Sequence, residues 1–132
     1  MLCFFDIFFT LLPPFIFIYH LYFMLFSSED LILVYKMIIS FLFALFIKQY
    51  SRSERHSDKY YIYRSKYSFP STHSIFYTLY ILNSKNIFIY ILCSLGIYSR
   101  LFFKHHTNKD VLCGIVFAMV FDRIYNTMIL KH

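Results

Sequence analysis

Three groups of polar residues in this chain have the types and spacings needed to handle a phosphoryl group. Lys48 is followed seven residues later by Arg55, Pro70-Ser71-Thr72-His73 opens an apolar segment, and Ser99-Arg100 precedes His106 and Asp110. A phosphoryl group carries negative charge that cations must neutralise, and Lys48, Arg55 and Arg100 supply three. A helix N-terminus offers backbone N–H groups, so Ser71, Thr72 and His73 are suited to hold phosphate oxygens. His106 and Asp110 lie four residues apart, which on a helical turn puts them on one face. An Asp so placed holds the imidazole tautomer and stabilises the cation formed when the ring reacts. Two histidines, one attacking and one protonating the leaving group, suffice for phosphoryl transfer through a covalent intermediate, with no metal and no cofactor.

Such residues have to be held by the rest of the chain, and its composition says what kind of scaffold that is. With 132 residues the sequence allows one domain, 1–132. Its apolar fraction of 59% and mean hydropathy of +0.56 are too high for an ordinary soluble domain. The apolar residues arrive in unbroken runs, the pattern of membrane-spanning helices. A formal charge of +6 would mark a nucleic-acid surface in a soluble protein. Here the charges crowd into two short polar stretches between oily runs, so a membrane protein with a phosphate-facing side fits and a nucleic-acid partner does not. Cys3, Cys93 and Cys113 lie inside apolar runs, read as core residues, and form no metal-binding spacing.

The first run extends from Leu2 to about Phe26 and is broken by Asp6, Pro13-Pro14 and His20. Without a basic lead-in or a small-residue cleavage site it reads as a kinked spanning helix, not a signal peptide. Ser27-Ser28-Glu29-Asp30 is a turn with helix N-cap character. A second run, Leu31 to Ile47, spans comfortably, and Lys36 near its start is expected to snorkel. A basic loop from Lys48 to Phe69 follows. Apolar character returns at Ser74, pauses at Asn83-Ser84-Lys85-Asn86, and continues from Ile87 to Phe103. A second polar stretch, Lys104 to Asp110, leads into a last run to Leu130, where Asp122 and Arg123 either pair or lie near the interface. The fold expected is all-α: a multi-pass transmembrane helix bundle of about five spans.

The three polar groups resemble the motifs of the type 2 phosphatidic-acid phosphatase superfamily. Those motifs are Lys, six residues, Arg-Pro; then Pro-Ser-Gly-His; then Ser-Arg, five residues, His, three residues, Asp. The likeness runs from Lys48 to Gly114, half of the chain. It implies that His106 is the nucleophile that becomes phosphohistidine, that Asp110 orients it, and that His73 is the acid that protonates the departing alkoxide. Lys48, Arg55, Ser71, Thr72 and Arg100 would bind the substrate phosphate. The implied partners are a lipid phosphate and membrane lipids, and the implied location is the endoplasmic reticulum or a related endomembrane. Lys104-His105-His106 with Asp110-Val111-Leu112 and Gly114 is similar to animal and fungal lipid phosphate phosphatases. Tyr67-Ser68-Phe69 and His106-Thr107 are similar to dolichyl diphosphate phosphatases. Two positions depart from the pattern: His56 stands where the motif has Pro, and Thr72 where it has Gly, although Thr is found there in sphingoid-phosphate phosphatases.

One site requires His73 and His106 on the same side of the membrane, so the chain must cross and return between Ser71 and Ser99. Splitting at Ser84-Lys85 leaves legs of about 13 residues, about 20 Å each, against a hydrocarbon core of roughly 30 Å. The expectation is a thin hairpin with its turn at Asn83 to Asn86 sunk below the interface. With room for two spans before the first motif, the chain reads as a shortened form of a six-span core. The positive-inside rule puts the motif side in the cytoplasm only weakly, because several of its cations are substrate ligands. His20, His56 and His132 read as structural. Arg52, Lys59, Arg64 and Lys66 read as a headgroup patch, and Tyr60 to Tyr63 as an interfacial belt. A reading of another class is an inactive, lipid-binding or scaffolding membrane protein. A phosphotransferase is a smaller third, since a phosphohistidine can pass its phosphoryl group to an alcohol.

Overall fold

A backbone in hydrocarbon has to satisfy its own hydrogen bonds, and the oily runs of this chain do so as helices. The computed structural model describes residues 2–52 and 67–128, and these form five: α1 (Leu2–Phe23), α2 (Ser28–Ser51), α3 (Thr72–Asn83), α4 (Ile87–Phe102) and α5 (Asn108–Met128). The readings that fall on Arg55, His56, Lys59, Arg64, Lys66, the tyrosines at 60–63 and His132 lie outside the described residues. Three helices are long and apolar enough to cross a membrane: Phe4–Phe23, Ser28–Ser51 and Asn108–Met128. With the shorter α3 and α4 they make an all-α membrane bundle. Many large apolar side chains lie on the outside, among them Phe4, Phe46, Phe88 and Met128, as a lipid-facing surface requires.

The shortest helix sits at the centre. α3 packs against all four others, most extensively against α5 and α4. Its Ile75 and Leu79 meet Ala44 of α2 and Ala118 of α5 in the buried core, with Phe117 and Phe121 packed alongside. Both glycines of the chain serve this helix. A Cβ at Gly96 on α4 would stand 2.4 Å from the Tyr77 ring of α3. A Cβ at Gly114 on α5 would stand 2.8 Å from the Ser71 carbonyl oxygen at the start of α3. Small residues at these crossings let the helices approach more closely than any side chain would permit.

Local signals set the helix ends. Ser27 caps α2, its hydroxyl accepting from the Asp30 N–H, and Asn86 caps α4 by accepting from the Phe88 N–H at 2.9 Å. Helix α2 continues past Lys48 to Ser51, one turn beyond the sequence expectation, and closes on Arg52 in the left-handed region (φ 46°). Thr107 and Asp110 form a capping box at the start of α5. The Thr107 N–H donates to Asp110 Oδ2 at 3.0 Å, and the Asp110 N–H donates to Thr107 Oγ1 at 3.2 Å.

Helices α3 and α4 form the expected hairpin, turning between Asn83 and Ile87, with legs of 12 and 16 residues. At 1.5 Å per residue these are about 18 Å and 24 Å long. How so short a helix ends is shown by Lys36, and here the snorkelling expectation is corrected. Lys36 is buried, and its ammonium donates to Asn83 Oδ1 at 2.9 Å, to Asp122 Oδ1 at 2.7 Å and to Asn126 Oδ1 at 2.7 Å. Asp122 therefore pairs with Lys36 across the bundle and not with its neighbour Arg123. Lys36 lies in the third turn of α2, so the end of α3 is met by polar groups well inside the neighbouring helix. A helix end enclosed by protein need not reach water. His20, near the end of α1, pairs with Asp30 at the start of α2 and stands edge-on to Tyr80, a structural role.

Candidate active site

The end of the bundle opposite Lys36 collects the motif residues that are described, Arg55 lying outside them, and the hairpin is the reason. Because α3 and α4 run antiparallel, the start of α3 and the end of α4 lie side by side, bringing Ser71-Thr72-His73 next to Ser99-Arg100. Lys48, in the last turn of α2, is buried at the same end. The charges of Arg100, His106 and Lys48 all act on the His73 ring, so these four groups share one electrostatic neighbourhood.

Helix α4 stops in a way that turns the chain back at once. Lys104 adopts the left-handed conformation (φ 56°). The Lys104 N–H donates to the Leu101 carbonyl and the His105 N–H to the Arg100 carbonyl, both at 3.0 Å, the paired bonds of a Schellman motif. Having a lysine where glycine is usual costs about 1 kcal/mol. The His106 N–H also donates to the Arg100 carbonyl, at 3.2 Å. His106 thus follows Arg100 by a single reversed turn, buried beside the start of α5.

The third motif then closes on the second. The Ser71 N–H donates to the Asp110 backbone carbonyl at 3.1 Å, directly beneath the Gly114 crossing. Asp110 Oδ2 lies 3.7 Å from His106 Nδ1, an ion-pair distance longer than a hydrogen bond. Nδ1 is thus the ring nitrogen of His106 that faces the carboxylate, the side on which an Asp orients an imidazole.

Ser71 caps α3. Its hydroxyl accepts from Ser74 Oγ at 2.9 Å and from the Ser74 N–H, and it is fully enclosed. Its own N–H and hydroxyl oxygen are therefore engaged within the protein. The Thr72 and His73 N–H groups, in the first turn, have no partner among the described residues, and both residues are only half-buried. A helix start with two such donors has the geometry and the dipole to receive an anion. Arg100 is buried, with Nε and Nη2 each 3.2 Å from Ser99 Oγ and Nη1 3.0 Å from Thr10 Oγ1.

Sequence reasoning missed the contribution of α1. Asp6 Oδ1 lies 2.5 Å from His105 Nε2 and 3.8 Å from Arg100 Nη2, which gives His105 and Arg100 a common buried counter-charge. One turn on, Thr10 meets Arg100 with its hydroxyl and His73 Nε2 with its carbonyl, at 3.2 Å. The signal was present: a carboxylate inside an oily run is expensive in lipid and is kept only where it has partners. Asp6, Phe9, Thr10 and Pro13 recur at helical spacing and form the inward face of α1. Among the described residues no cluster of three or more metal-ligating side chains occurs.

Comparison with known proteins bears on this arrangement. Neither the curated proteins nor the solved structures contain a match to this chain. The sequence model of one family does match: it is described as the PAP2 superfamily, and it covers residues 17–132, including all three motifs. Members of that superfamily are phosphatases, so phosphoester hydrolysis is the general chemistry attached to the fold. By a match over most of its length, this chain belongs to the PAP2 superfamily.

Proposed function

We propose that the whole chain is a single membrane-embedded lipid phosphatase. It would hydrolyse a lipid phosphate monoester or diphosphate, with phosphatidate-type lipids favoured, in the endoplasmic reticulum or a related endomembrane. The observation that carries the reading is the convergence at one end of the bundle. His73 and Arg100 both meet Thr10, and the Asp110 carbonyl is bonded to the Ser71 N–H at the start of the helix that carries His73.

In this mechanism the substrate phosphate is held by Lys48, Arg55 and Arg100 and by the N–H groups of Thr72 and His73 at the start of α3, with Ser71 capping that turn. Two of these cations, Lys48 and Arg100, are buried, and charge interactions are strong in such a low-dielectric setting. His106 Nε2 attacks phosphorus, and the bond from phosphorus to the lipid oxygen breaks. His73 gives its proton to the departing alkoxide, while the Asp110 carboxylate stabilises the cationic His106 ring. Water, deprotonated by the now neutral His73, then attacks the phosphohistidine. The P–N bond breaks, inorganic phosphate leaves, and both histidines return to their starting state. The chemistry needs charge neutralisation and proton transfer, which these side chains provide without a metal.

The test is phosphate release in detergent, with EDTA present, from phosphatidate, a sphingoid phosphate, an isoprenoid diphosphate and dolichyl diphosphate. Wild type should release phosphate from at least one, and His106→Ala should lose about a thousandfold or more, as expected when a nucleophile is removed. Equal release by both proteins would refute the phosphohistidine route. No release from any lipid by the wild type would favour a lipid-binding role instead.

A further inference from the structure

Pro13 and Pro14 lie within α1, a continuous helix from Leu2 to Phe23. A proline has no N–H, so each leaves the carbonyl four residues earlier without its helical donor. The two carbonyls concerned are those of Phe9 and Thr10. In a membrane bundle such groups have to find partners on neighbouring helices. They find them one turn apart on α3: the Tyr77 hydroxyl donates to the Phe9 carbonyl at 2.6 Å, and His73 Nε2 lies 3.2 Å from the Thr10 carbonyl. A carbonyl can only accept, so this contact requires the proton on His73 to sit on Nε2. The Tyr77 bond sits beside the Gly96 crossing, which keeps α3 from rotating and so holds the register of the His73 contact.

We propose that Pro14 and Thr10 are positioning residues for His73. Pro14 frees the Thr10 carbonyl, the carbonyl holds the Nε2–H, and Nδ1 is thereby the nitrogen that exchanges a proton with the leaving oxygen. The device deepens the phosphatase reading and rests on it for its catalytic half. It also extends the site beyond the family match, which begins at residue 17, into the segment carrying Asp6, Thr10 and Pro14. Two observations independent of the motifs carry it: the identity of the two orphaned carbonyls, and the spacing of four between His73 and Tyr77 that meets them both.

Pro14→Ala restores an N–H to compete for the Thr10 carbonyl and leaves Pro13 in place. Pro13→Ala is the matched control, since it restores a donor to Phe9 alone. Both changes favour helix, so the variants are expected to fold. Two readouts are taken on the full chain in detergent micelles. One is kcat and KM on the lipid that wild type hydrolyses. The other is the 15N spectrum of histidine-labelled protein, with the His73 signals assigned by their loss in His73→Asn, which reports the tautomer whether or not the protein turns over. In Pro14→Ala, kcat should fall about tenfold or more with KM within about twofold, and the Nε2–H tautomer of His73 should lose its dominance. In Pro13→Ala the His73 signals should keep the wild-type pattern. An unchanged tautomer in Pro14→Ala would overturn the proposal, whatever happens to kcat. So would the same tautomer change in both variants, or a changed tautomer with wild-type kcat. Should wild type be inactive on every lipid, the phosphatase reading fails and with it the catalytic half, while the 15N comparison still decides whether Pro14 controls His73.

Discussion

Asp110 divides one side chain and one backbone group among three tasks. Its carboxylate caps α5 through the Thr107 N–H, the same oxygen faces His106 Nδ1, and its carbonyl binds the Ser71 N–H. Replacement by Asn keeps an oxygen for the cap but removes the charge that stabilises a cationic ring. Asp110→Asn is therefore expected to fold while releasing phosphate about a hundredfold to ten-thousandfold more slowly, measured as kcat on the preferred lipid. A loss of less than about threefold would mean that the carboxylate is a cap and nothing more. At this scale much was legible. The spacing of His106 and Asp110 and the Thr107-x-x-Asp110 box are both written in the sequence. Pro14 marks the Thr10 carbonyl as lacking its helical donor, but that His73 is its partner is not legible, because it depends on how α1 packs against α3.

The helices meet where side chains are absent. Gly114 brings α5 onto the start of α3 at the point where Ser71 and Asp110 are bonded, so this crossing sets the distance between the second and third motifs. A methyl group there would stand 2.8 Å from a backbone oxygen and 3.2 Å from Ser74 Cβ, neither of which can swing aside. Gly114→Ala is expected to destabilise the protein by about 1–3 kcal/mol, read from unfolding in detergent and denaturant. It should also lower kcat, by pushing His106 away from the start of α3. A stable and fully active Gly114→Ala protein would show that the crossing does not set the site. The sequence contains this glycine plainly, but only the packed helices reveal that its partner is Ser71.

Across the whole molecule, two polar clusters hold the two ends of the short central helix. The described motif residues gather at one end, and Lys36, Asn83, Asp122 and Asn126 at the other. Removing one member of a buried ion pair leaves the other uncompensated. Lys36→Met is expected to cost about 3–5 kcal/mol, and adding Asp122→Leu should recover a large part of it. A double-mutant cycle on unfolding in detergent measures the coupling, and a value near zero would rule out the cluster as the anchor of α3.

The sequence by itself determined that the chain is an oily helical bundle, and it located the three motifs at helix ends. Hydrophobic runs, turn clusters and motif spacings are local properties, and each survives being read one residue after another. How a hairpin with legs of 12 and 16 residues is accommodated was decided by the tertiary structure. Length alone argued against it, because a lone helix in lipid must reach water at both ends. Enclosed by four others, α3 ends instead against Lys36 at one side and against Asp110 at the other. The same packing recruited α1, whose Asp6 and Thr10 look in sequence like interruptions of an apolar run. They are kept in the bundle because Arg100, His105 and His73 are there to bond with them.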